Sequence, residues 1–312
     1  MEKESRNIIT IDIGGTNIRI GLIDSNGKIE KITRLKKPHI GEISELILST
    51  IKTFFSKEEL KNAELIAVAS AGKVDNEKGT LKSSSIGKGV LPLGKDLKEE
   101  FSKDVILIND ANAAAYGEFS KYRDRTNNLV YITISTGIGG GAVVDGRLLG
   151  AEINATEIGH IIVKEEDYHI LCNCGFENHW EAFASGKGIP KFFKEWAKKK
   201  GINQGKSYTS AEDIFQAAKK GGSLEKRFLE KIGEYNGRGL STIMALYMPD
   251  IVVIGGSVVH HNQKEILEPM IKNTEKHYKL PEIIITESGD DVCIIGAAMY
   301  AFDNLREKKY AK

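Results

Sequence analysis

The sequence predicts an α/β protein built from two related halves, and three observations predict it. β-rich apolar runs alternate with helically spaced apolar residues along the chain, the pattern of a largely buried sheet covered by helices. An apolar run, a Gly/Thr loop, a second apolar run and an Asp-containing turn occur twice: Ile11 and Ile132, Ile13 and Ile134, and Asp24 and Asp145 each stand 121 positions apart. The length of 312 residues suits two domains of about 150 residues each.

In the first half, Asn7–Ile13 is apolar and β-branched, Gly14-Gly15-Thr16-Asn17 breaks it, and Ile18–Ile23 resumes before Asp24-Ser25-Asn26-Gly27. This reads as two strands joined by a glycine turn, with a second turn leading to Lys28–Thr33. Ile43, Leu46, Ile47, Thr50, Ile51 and Phe54 share one face of a helix over 42–55. Strands follow at Leu65–Ala69 and Val105–Ile108, then a helix from Ala111 to Tyr122.

The second half begins with the apolar stretch Leu129–Ser135, a glycine-rich loop, the strand Gly141–Val144 and the turn Asp145-Gly146. A cysteine segment at 160–181 precedes a lysine-rich helix at 189–200 and helices at 211–220 and 224–248. Strand Ile251–Ile254 ends in Gly255-Gly256-Ser257; a helix over 263–278, strand Ile283–Thr286 and a last helix from Cys293 to Asn304 close the chain. The charged stretch Arg306–Lys312 reads as a frayed end, Cys293 as a buried inert thiol, and His260-His261 as a loop cap. The boundary falls at a helix: 1–118, joined by the C-terminal helix 293–312, form one domain, and 119–292, with the insertion 160–181, the other.

A composition of 41% hydrophobic and 28% charged residues excludes disordered, collagen-like and coiled-coil classes. Forty-four Lys+Arg against 43 Asp+Glu leave a net charge of +1, with no basic excess to grip nucleic acid. The longest apolar runs fall below the ~18–20 residues of a membrane span. The start MEKESRNII has no apolar signal segment, and three cysteines are too few for a disulfide framework. The expectation is a soluble cytoplasmic protein with neither nucleic-acid nor membrane partners.

Three glycine-rich turns each follow a strand: Asp12–Asn17, Thr133–Gly141 and Gly255–Ser257. Glycine lets backbone N–H groups approach an oxyanion with no side chain in the way, and neighbouring Ser/Thr hydroxyls add donors. Two such loops facing each other across a cleft would suit the phosphates of a nucleotide. Neither GxxxxGK[ST] nor a GxGxxG between strand and helix occurs, so P-loop and dinucleotide readings lack support. Asp110 follows the strand VILIN and opens a helix, at the sheet edge where α/β ligands bind. An Asp there also suits an ordinary N-cap, and the local sequence leaves both roles open.

The segments IDIGGTNIRIGLID, INDANAAAYGE, ISTGIGGGAVVDGRLL, EIGHIIV, CNCGFENHWEAFASG and VVIGGSVV resemble, in order and from Ile8 to about Phe302, the ROK (repressor, open reading frame, kinase) family of sugar kinases. The resemblance implies a duplicated actin/hexokinase-like (ribonuclease H-like) two-domain fold with an interdomain cleft. It also implies ATP-dependent phosphorylation of a hexose 6-hydroxyl, with glucose favoured and N-acetylmannosamine or N-acetylglucosamine as the alternative. Asp12 would lie near Mg²⁺ and the phosphates, with Gly14, Gly15, Thr16 and Asn17 around the transferring end of ATP. Thr136, Gly137 and Gly139 would form the opposing phosphate loop, and Gly255 and Gly256 would approach the adenosine. Asp110 becomes the catalytic base, with Asn109 binding a neighbouring hydroxyl, and Glu157, His160 and Glu181 take the sugar-binding positions. Carboxylates suit sugars because each accepts two hydroxyl hydrogen bonds.

The family's structural zinc site uses one His and three Cys. Here Cys172 and Cys174 match and His179 stands at the third cysteine position, so His160, Cys172, Cys174 and His179 would form a Cys₂His₂ site. The alternative is a lost site with two ordinary thiols, and His169 could replace one histidine. Two departures lie near the sugar: Thr156 replaces a usual glycine, and Ser83–Pro92 lacks the Pro-Asn and Trp often found there. The family's repressors carry an N-terminal helix-turn-helix, for which the strand beginning at residue 7–8 leaves no room. A non-catalytic sugar-sensing regulator fits poorly with Asp12 and Asp110 both present, and an ATP-dependent chaperone would need a substrate-binding domain. The family analogy also implies a homodimer or homotetramer.

Overall fold

Isoleucine at every second position of the opening segment, Ile9, Ile11 and Ile13, builds one apolar face of a strand, and the following glycine turn folds it into a hairpin. The computed structural model describes residues 6–83, 87–151, 156–163, 168–202 and 208–310. The first elements are β1 (Asn7–Ile13), β2 (Asn17–Asp24), β3 (Ile29–Lys36), α1 (Ile40–Phe54), α2 (Lys57–Asn62) and β4 (Ala63–Ser70). Next come β5 (Lys73–Asp75), β6 (Thr80–Lys82), α3 (Leu93–Phe101), β7 (Val105–Asn109) and α4 (Asp110–Tyr122). The chain continues with β8 (Leu129–Ile134), β9 (Ile138–Val144), β10 (Arg147–Leu148), α5 (Trp180–Ala184), α6 (Gly188–Lys199), α7 (Ala211–Lys219) and α8 (Ser223–Tyr247). It closes with β11 (Ile251–Gly255), α9 (Ser257–His261), α10 (Gln263–Lys272), β12 (Glu282–Ile285) and α11 (Val292–Tyr310). No helix among the described residues is long and apolar enough to cross a membrane.

Two units emerge. The first comprises Met1–Arg125, Gly146–Thr156 and Asp290–Lys312; the second comprises Thr126–Asp145 and Glu157–Gly289. In the first, the sheet runs β3-β2-β1-β4-β7, with β1 antiparallel to β2 and parallel to β4, and β4 parallel to β7. Ile9, Ile11, Ile13, Ile18 and Ile20 pack with Ile43, Ile47 and Ile51 of α1 and Leu93 and Leu97 of α3. The first residue of α1 follows His39, which makes no side-chain cap bond. Packing therefore decides this helix: each buried Ile contributes about 1.5–3 kcal/mol, against about 1 kcal/mol for a good cap.

Helices α4 and α11 also pack in this unit. Their backbones meet at Gly117 and Gly296, where a Cβ on Gly296 would lie 1.7 Å from the Ala113 carbonyl oxygen. Asp303 ties the pair further, accepting from Tyr116 Oη at 2.8 Å and Arg123 Nη2 at 2.9 Å.

In the second unit the strands run β9-β8-β11-β12, with β8 antiparallel to β9 and parallel to β11, and β11 parallel to β12. This repeats the order and sense of β2-β1-β4-β7, so the duplication is real at the level of topology. Its register is not uniform. Ile8 pairs with Ile23, while the residue 121 positions on, Leu129, pairs with Val143. The turn between Ile134 and Ile138 holds one residue fewer than that between Ile13 and Ile18, so the counterpart of Asp24 in the ladder is Val144 rather than Asp145. Aromatic rings fill the helical side of this unit: Phe183 stacks on Tyr235 at 4.4 Å, and Phe192, Phe193, Trp196 and Phe228 interlock around them.

Several expected elements shift. Gly139, Gly140 and Gly141 belong to β9 rather than to a loop, because the hairpin turn is confined to 135–137. The expected helix over 263–278 stops at Lys272, where Asn273 Nδ2 donates to the Pro269 carbonyl and Thr274 Oγ1 to that of Met270, satisfying the terminal acceptors. A separate short helix, α9, precedes it, ending in His260-His261. Helix α11 continues through 306–310, and Cys293 is half-buried rather than buried. Helix α2, with a Ser56–Glu59 capping box, α3 and the β5–β6 pair were not anticipated.

The α4–α11 contact has no room for a methyl group. Gly296→Ala is expected to cost about 1–3 kcal/mol through overpacking, seen as a lower urea midpoint with unchanged slope; an unchanged midpoint would show that the crossing accommodates the methyl.

Candidate functional site

Each unit gathers its own set of the expected residues. In the first unit, Asp12 is the penultimate residue of β1 and is 2% exposed. Its ladder partner on β2 is Arg19, whose Nη1 donates to Asp12 Oδ2 at 2.7 Å. Arg19 Nε also lies 3.6 Å from Asp291, which accepts from Arg34 at 2.8 and 2.9 Å. A buried carboxylate is thus paired with a partly buried guanidinium, the arrangement a charged group needs once it leaves water. Gly14 N–H donates to the Asn17 carbonyl at 3.0 Å, closing the turn, and leaves Gly15, Thr16 and Asn17 exposed.

Asn109 and Asp110 stand where β7 turns into α4. Asn109 is the N-cap: its Oδ1 accepts from the N–H groups of Ala111 at 2.8 Å and Asn112 at 3.3 Å, and its Nδ2 donates to the Gly72 carbonyl at 3.0 Å. The cap therefore falls to Asn109, and Asp110 is the first helical residue, half-buried, with Oδ1 accepting from Ala111 N–H at 2.9 Å. Two residues upstream of Asn109, Asn76 clamps the edge of β7: its Oδ1 accepts from Leu107 N–H at 2.7 Å and its Nδ2 donates to the Leu107 carbonyl at 2.9 Å.

In the second unit, residues 135–137 form a tight loop in which Ser135 N–H donates to the Gly137 carbonyl at 2.9 Å. The segment after α5 docks onto it through Gly186 N–H to the Ser135 carbonyl at 2.7 Å and Lys187 N–H to that of Thr136 at 3.3 Å. Glu181 reaches the same loop: Oε2 accepts from Ile138 N–H at 3.0 Å. A Cβ on Gly137 would lie 2.4 Å from that oxygen, so glycine is required for the contact. Gly139 is level with Thr133 on β8, as is Gly255 at the end of β11. Gly256 turns out of the strand with φ +98°.

His160, Cys172, Cys174 and His179 also meet in this unit, with donor atoms all within 4.8 Å of one another. Bridges between Ile162 and His179 and between Leu171 and Glu177 bring the segments together. The rings of His160 and His179 stack with centroids 4.8 Å apart, and Cys174 Sγ lies 3.2 Å from His179 Nδ1. Zinc bonds of about 2.0–2.3 Å place tetrahedral ligand atoms roughly 3.5 Å apart, which this group reaches with small side-chain shifts. Burial, aided by the Cys174 thiol and the Glu181 carboxylate, pushes the Cys172 thiol up to about 12. Burial and the neighbouring His160 push His179 down, keeping a neutral imidazole. A divalent cation inverts the thiol's preference, so the donor set fits a metal. His169 is not part of the group; its Nδ1 pairs with Glu177 at 2.9 Å.

Glu181 Oε1 lies 3.5 Å from both Cys172 Sγ and Asn173 Nδ2, so this one carboxylate touches both the cysteine loop and the glycine loop. Glu157 is exposed and stands 3.7 Å from His160 Nδ1. Thr156 lies among the described residues, whereas 84–86 of the serine-rich segment lie outside them. Sequence reasoning missed Arg19, Asn76, Gly72 and Asp291. Only Arg19 carried a signal, since a hairpin closed at residues 14–17 sets it opposite Asp12.

The ROK family pattern matches residues 8–304. The glucokinase of Aeropyrum pernix is 33% identical over 313 residues, spanning 95% of this chain and 97% of that protein. The N-acetylmannosamine kinase of Shigella flexneri is 30% identical over 298 residues, spanning 94% and 98%. Among solved structures, a ROK family glucokinase from Streptomyces griseus in complex with glucose and AMPPNP superposes with a TM-score of 0.72 at 25% identity, covering 95% of this chain and 99% of that one.

Removing the cap at the β7–α4 corner is expected to be costly. Asn109→Ala should lower stability by about 1–2 kcal/mol, measured by denaturant unfolding, with Asn109→Asp recovering part of the loss because its carboxylate can still accept from the helix N–H groups.

Proposed function

Because this chain belongs to the ROK family, we propose that it is an ATP-dependent hexose kinase that phosphorylates a sugar 6-hydroxyl, with glucose the preferred acceptor. The observation that carries the reading is the placement of Asp12 and Asp110 at the same edge of one sheet. Asp12 is level with Ala69 and Ala69 with Ile108, two residues before Asp110, so both aspartates stand at the carboxyl edge, about 10 Å apart across the strands and about 7 Å along them. That edge is where parallel sheets bind ligands, and the separation leaves room for a phosphoryl group between a metal-side and a base-side carboxylate.

Asp110 takes the proton of the 6-hydroxyl as the oxygen attacks the γ-phosphorus. The bond from phosphorus to the β,γ-bridging oxygen breaks, and ADP departs with the electron pair. Phosphoryl transfer needs mostly positioning and charge neutralisation. Magnesium carried in with ATP supplies part of that neutralisation on the Asp12 side. Gly14, Gly15, Thr16 and Asn17 wrap the transferring end, Thr136, Gly137 and Gly139 offer backbone and hydroxyl donors, and Gly255 and Gly256 admit the adenosine. Asn109, Glu157, His160 and Glu181 read the sugar hydroxyls. His160, Cys172, Cys174 and His179 would hold a structural zinc that fixes His160 and Glu181 in place. The second reading is an N-acetylmannosamine or N-acetylglucosamine kinase; the 30% identical N-acetylmannosamine kinase supports the first of these, and the hydroxyl of Thr156, beside Glu157, can pair with an acetamido group.

Three measurements test this. A coupled ADP-release assay across glucose, mannose, glucosamine and the N-acetylhexosamines should show glucose with the highest kcat/KM; turnover confined to acetamido sugars would select the second reading. Asp110→Asn should lower kcat by ~10²–10⁴, the usual worth of a positioned base, with sugar affinity largely intact, and near-normal turnover would remove the assignment. Protein purified without chelator should hold about one zinc per chain, and His179→Ala should lose metal and stability together; absence of stoichiometric metal in the parent protein would favour two ordinary thiols.

A further inference from the structure

The Glu181 carboxylate sits on the glycine loop in the position an anion would take. Its Oε2 accepts the Ile138 N–H at 3.0 Å and lies so close above Gly137 that a single methyl there would collide with it at 2.4 Å. A loop of this kind binds oxyanions through backbone N–H groups left open by glycine. Here one of those N–H groups already holds an internal oxyanion. The other carboxylate oxygen, Oε1, faces the cysteine loop at Cys172 and Asn173, 3.5 Å from each. Glu181 is half-buried, in the first turn of a short helix whose next residues, Ala182, Phe183 and Ala184, are fixed in the core. The backbone is therefore anchored, and only the side chain is at liberty to change partner.

We propose that Glu181 is an internal competitor for the phosphate loop, which it occupies until a sugar draws it away. This rests on the kinase reading above, in which Glu181 faces the sugar and residues 136–139 face the phosphates. Without sugar, the carboxylate both fills the Ile138 N–H and places a negative charge where nucleotide phosphate must come. Sugar hydroxyls offer the carboxylate better-placed donors, and rotation of the side chain toward them vacates the N–H and removes the repulsion. The two ligands are then coupled through one residue: acceptor binding raises donor affinity, and by linkage donor binding raises acceptor affinity by the same factor. A kinase built this way holds ATP poorly when only water could accept the phosphoryl group.

The test is equilibrium binding of MgADP to the full chain by calorimetry, with and without saturating glucose. In the parent protein glucose is expected to tighten MgADP by about tenfold, within the usual 5–150-fold range of coupling between sites. Glu181→Gln keeps the shape but removes the charge; it is expected to bind MgADP about tenfold more tightly than the parent without sugar, and to show little further gain with glucose. Glu181→Asp keeps the charge but withdraws it from Ile138, and should also bind MgADP more tightly than the parent in the sugar-free state. Zinc content and unfolding temperature of both variants identify any that has lost its fold, and the parent's coupling to glucose then still decides. MgADP affinity that is indifferent to Glu181→Gln, or to glucose in the parent, overturns the proposal while sugar phosphorylation by the parent leaves the kinase reading standing. A parent protein that neither binds MgADP nor phosphorylates any sugar removes both.

Discussion

The parallel alignment of β1, β4 and β7 is the constraint on which the first unit depends. Parallel neighbours end at the same edge of a sheet, so chemistry carried just past the end of β1 and just past the end of β7 converges without any loop having to reach. The register makes this concrete, since Asp12, Ala69 and Ile108 lie level across three strands. Apolar burial enforces the alignment: Ile9, Ile11, Ile66, Val68 and Leu107 share one core with α1 and α3, and a one-residue slip would turn that set toward the opposite face. The position of two aspartates is thus set by hydrophobic residues that never meet a ligand.

Polar contacts finish what packing begins. β7 is an edge strand, and an edge leaves backbone groups unpaired; the amide of Asn76 takes both those of Leu107 and so acts as a missing strand one residue long. Asn109 continues the same economy by capping α4 with its oxygen and holding Gly72 with its nitrogen. Asp110 is left as the residue at this corner that the helix does not need as its cap. In the second unit the comparable meeting point is Glu181, a single carboxylate in contact with both a glycine loop and the cysteine segment.

Much of this was legible in the sequence because the signals were local. Long apolar alternation gave β1, β2, β4 and β8, and the order strand–glycine turn–strand gave both hairpins. Short polar strands such as Lys73–Asp75 and Thr80–Lys82 bury one residue each and leave no periodicity to read. The dipeptide Asn109-Asp110 offers two capping residues in succession, and only the backbone geometry assigns the cap to the first. Asn76 could not have been found, because its partner lies 31 positions away and an Asn in a polar turn looks like any other. The grouping of His160, Cys172, Cys174 and His179 was legible through the family resemblance, whereas the contact of Glu181 with Ile138 depends on how two segments 43 residues apart fold together.

The two hairpins differ in what stands at corresponding ladder positions, and this divides their work. Asp12 faces Arg19 across the first hairpin, while the corresponding ladder pair in the second is Thr133 and Gly139. One copy thus carries a full ion pair and the other only a hydroxyl and bare backbone. Removal of either partner of a buried ion pair strands the other charge away from water, at a cost of about 3–5 kcal/mol, whereas peptide dipoles leave no charge behind. Built on one pattern, the two hairpins have become different instruments: one in which two side chains must be kept together, the other free of that obligation.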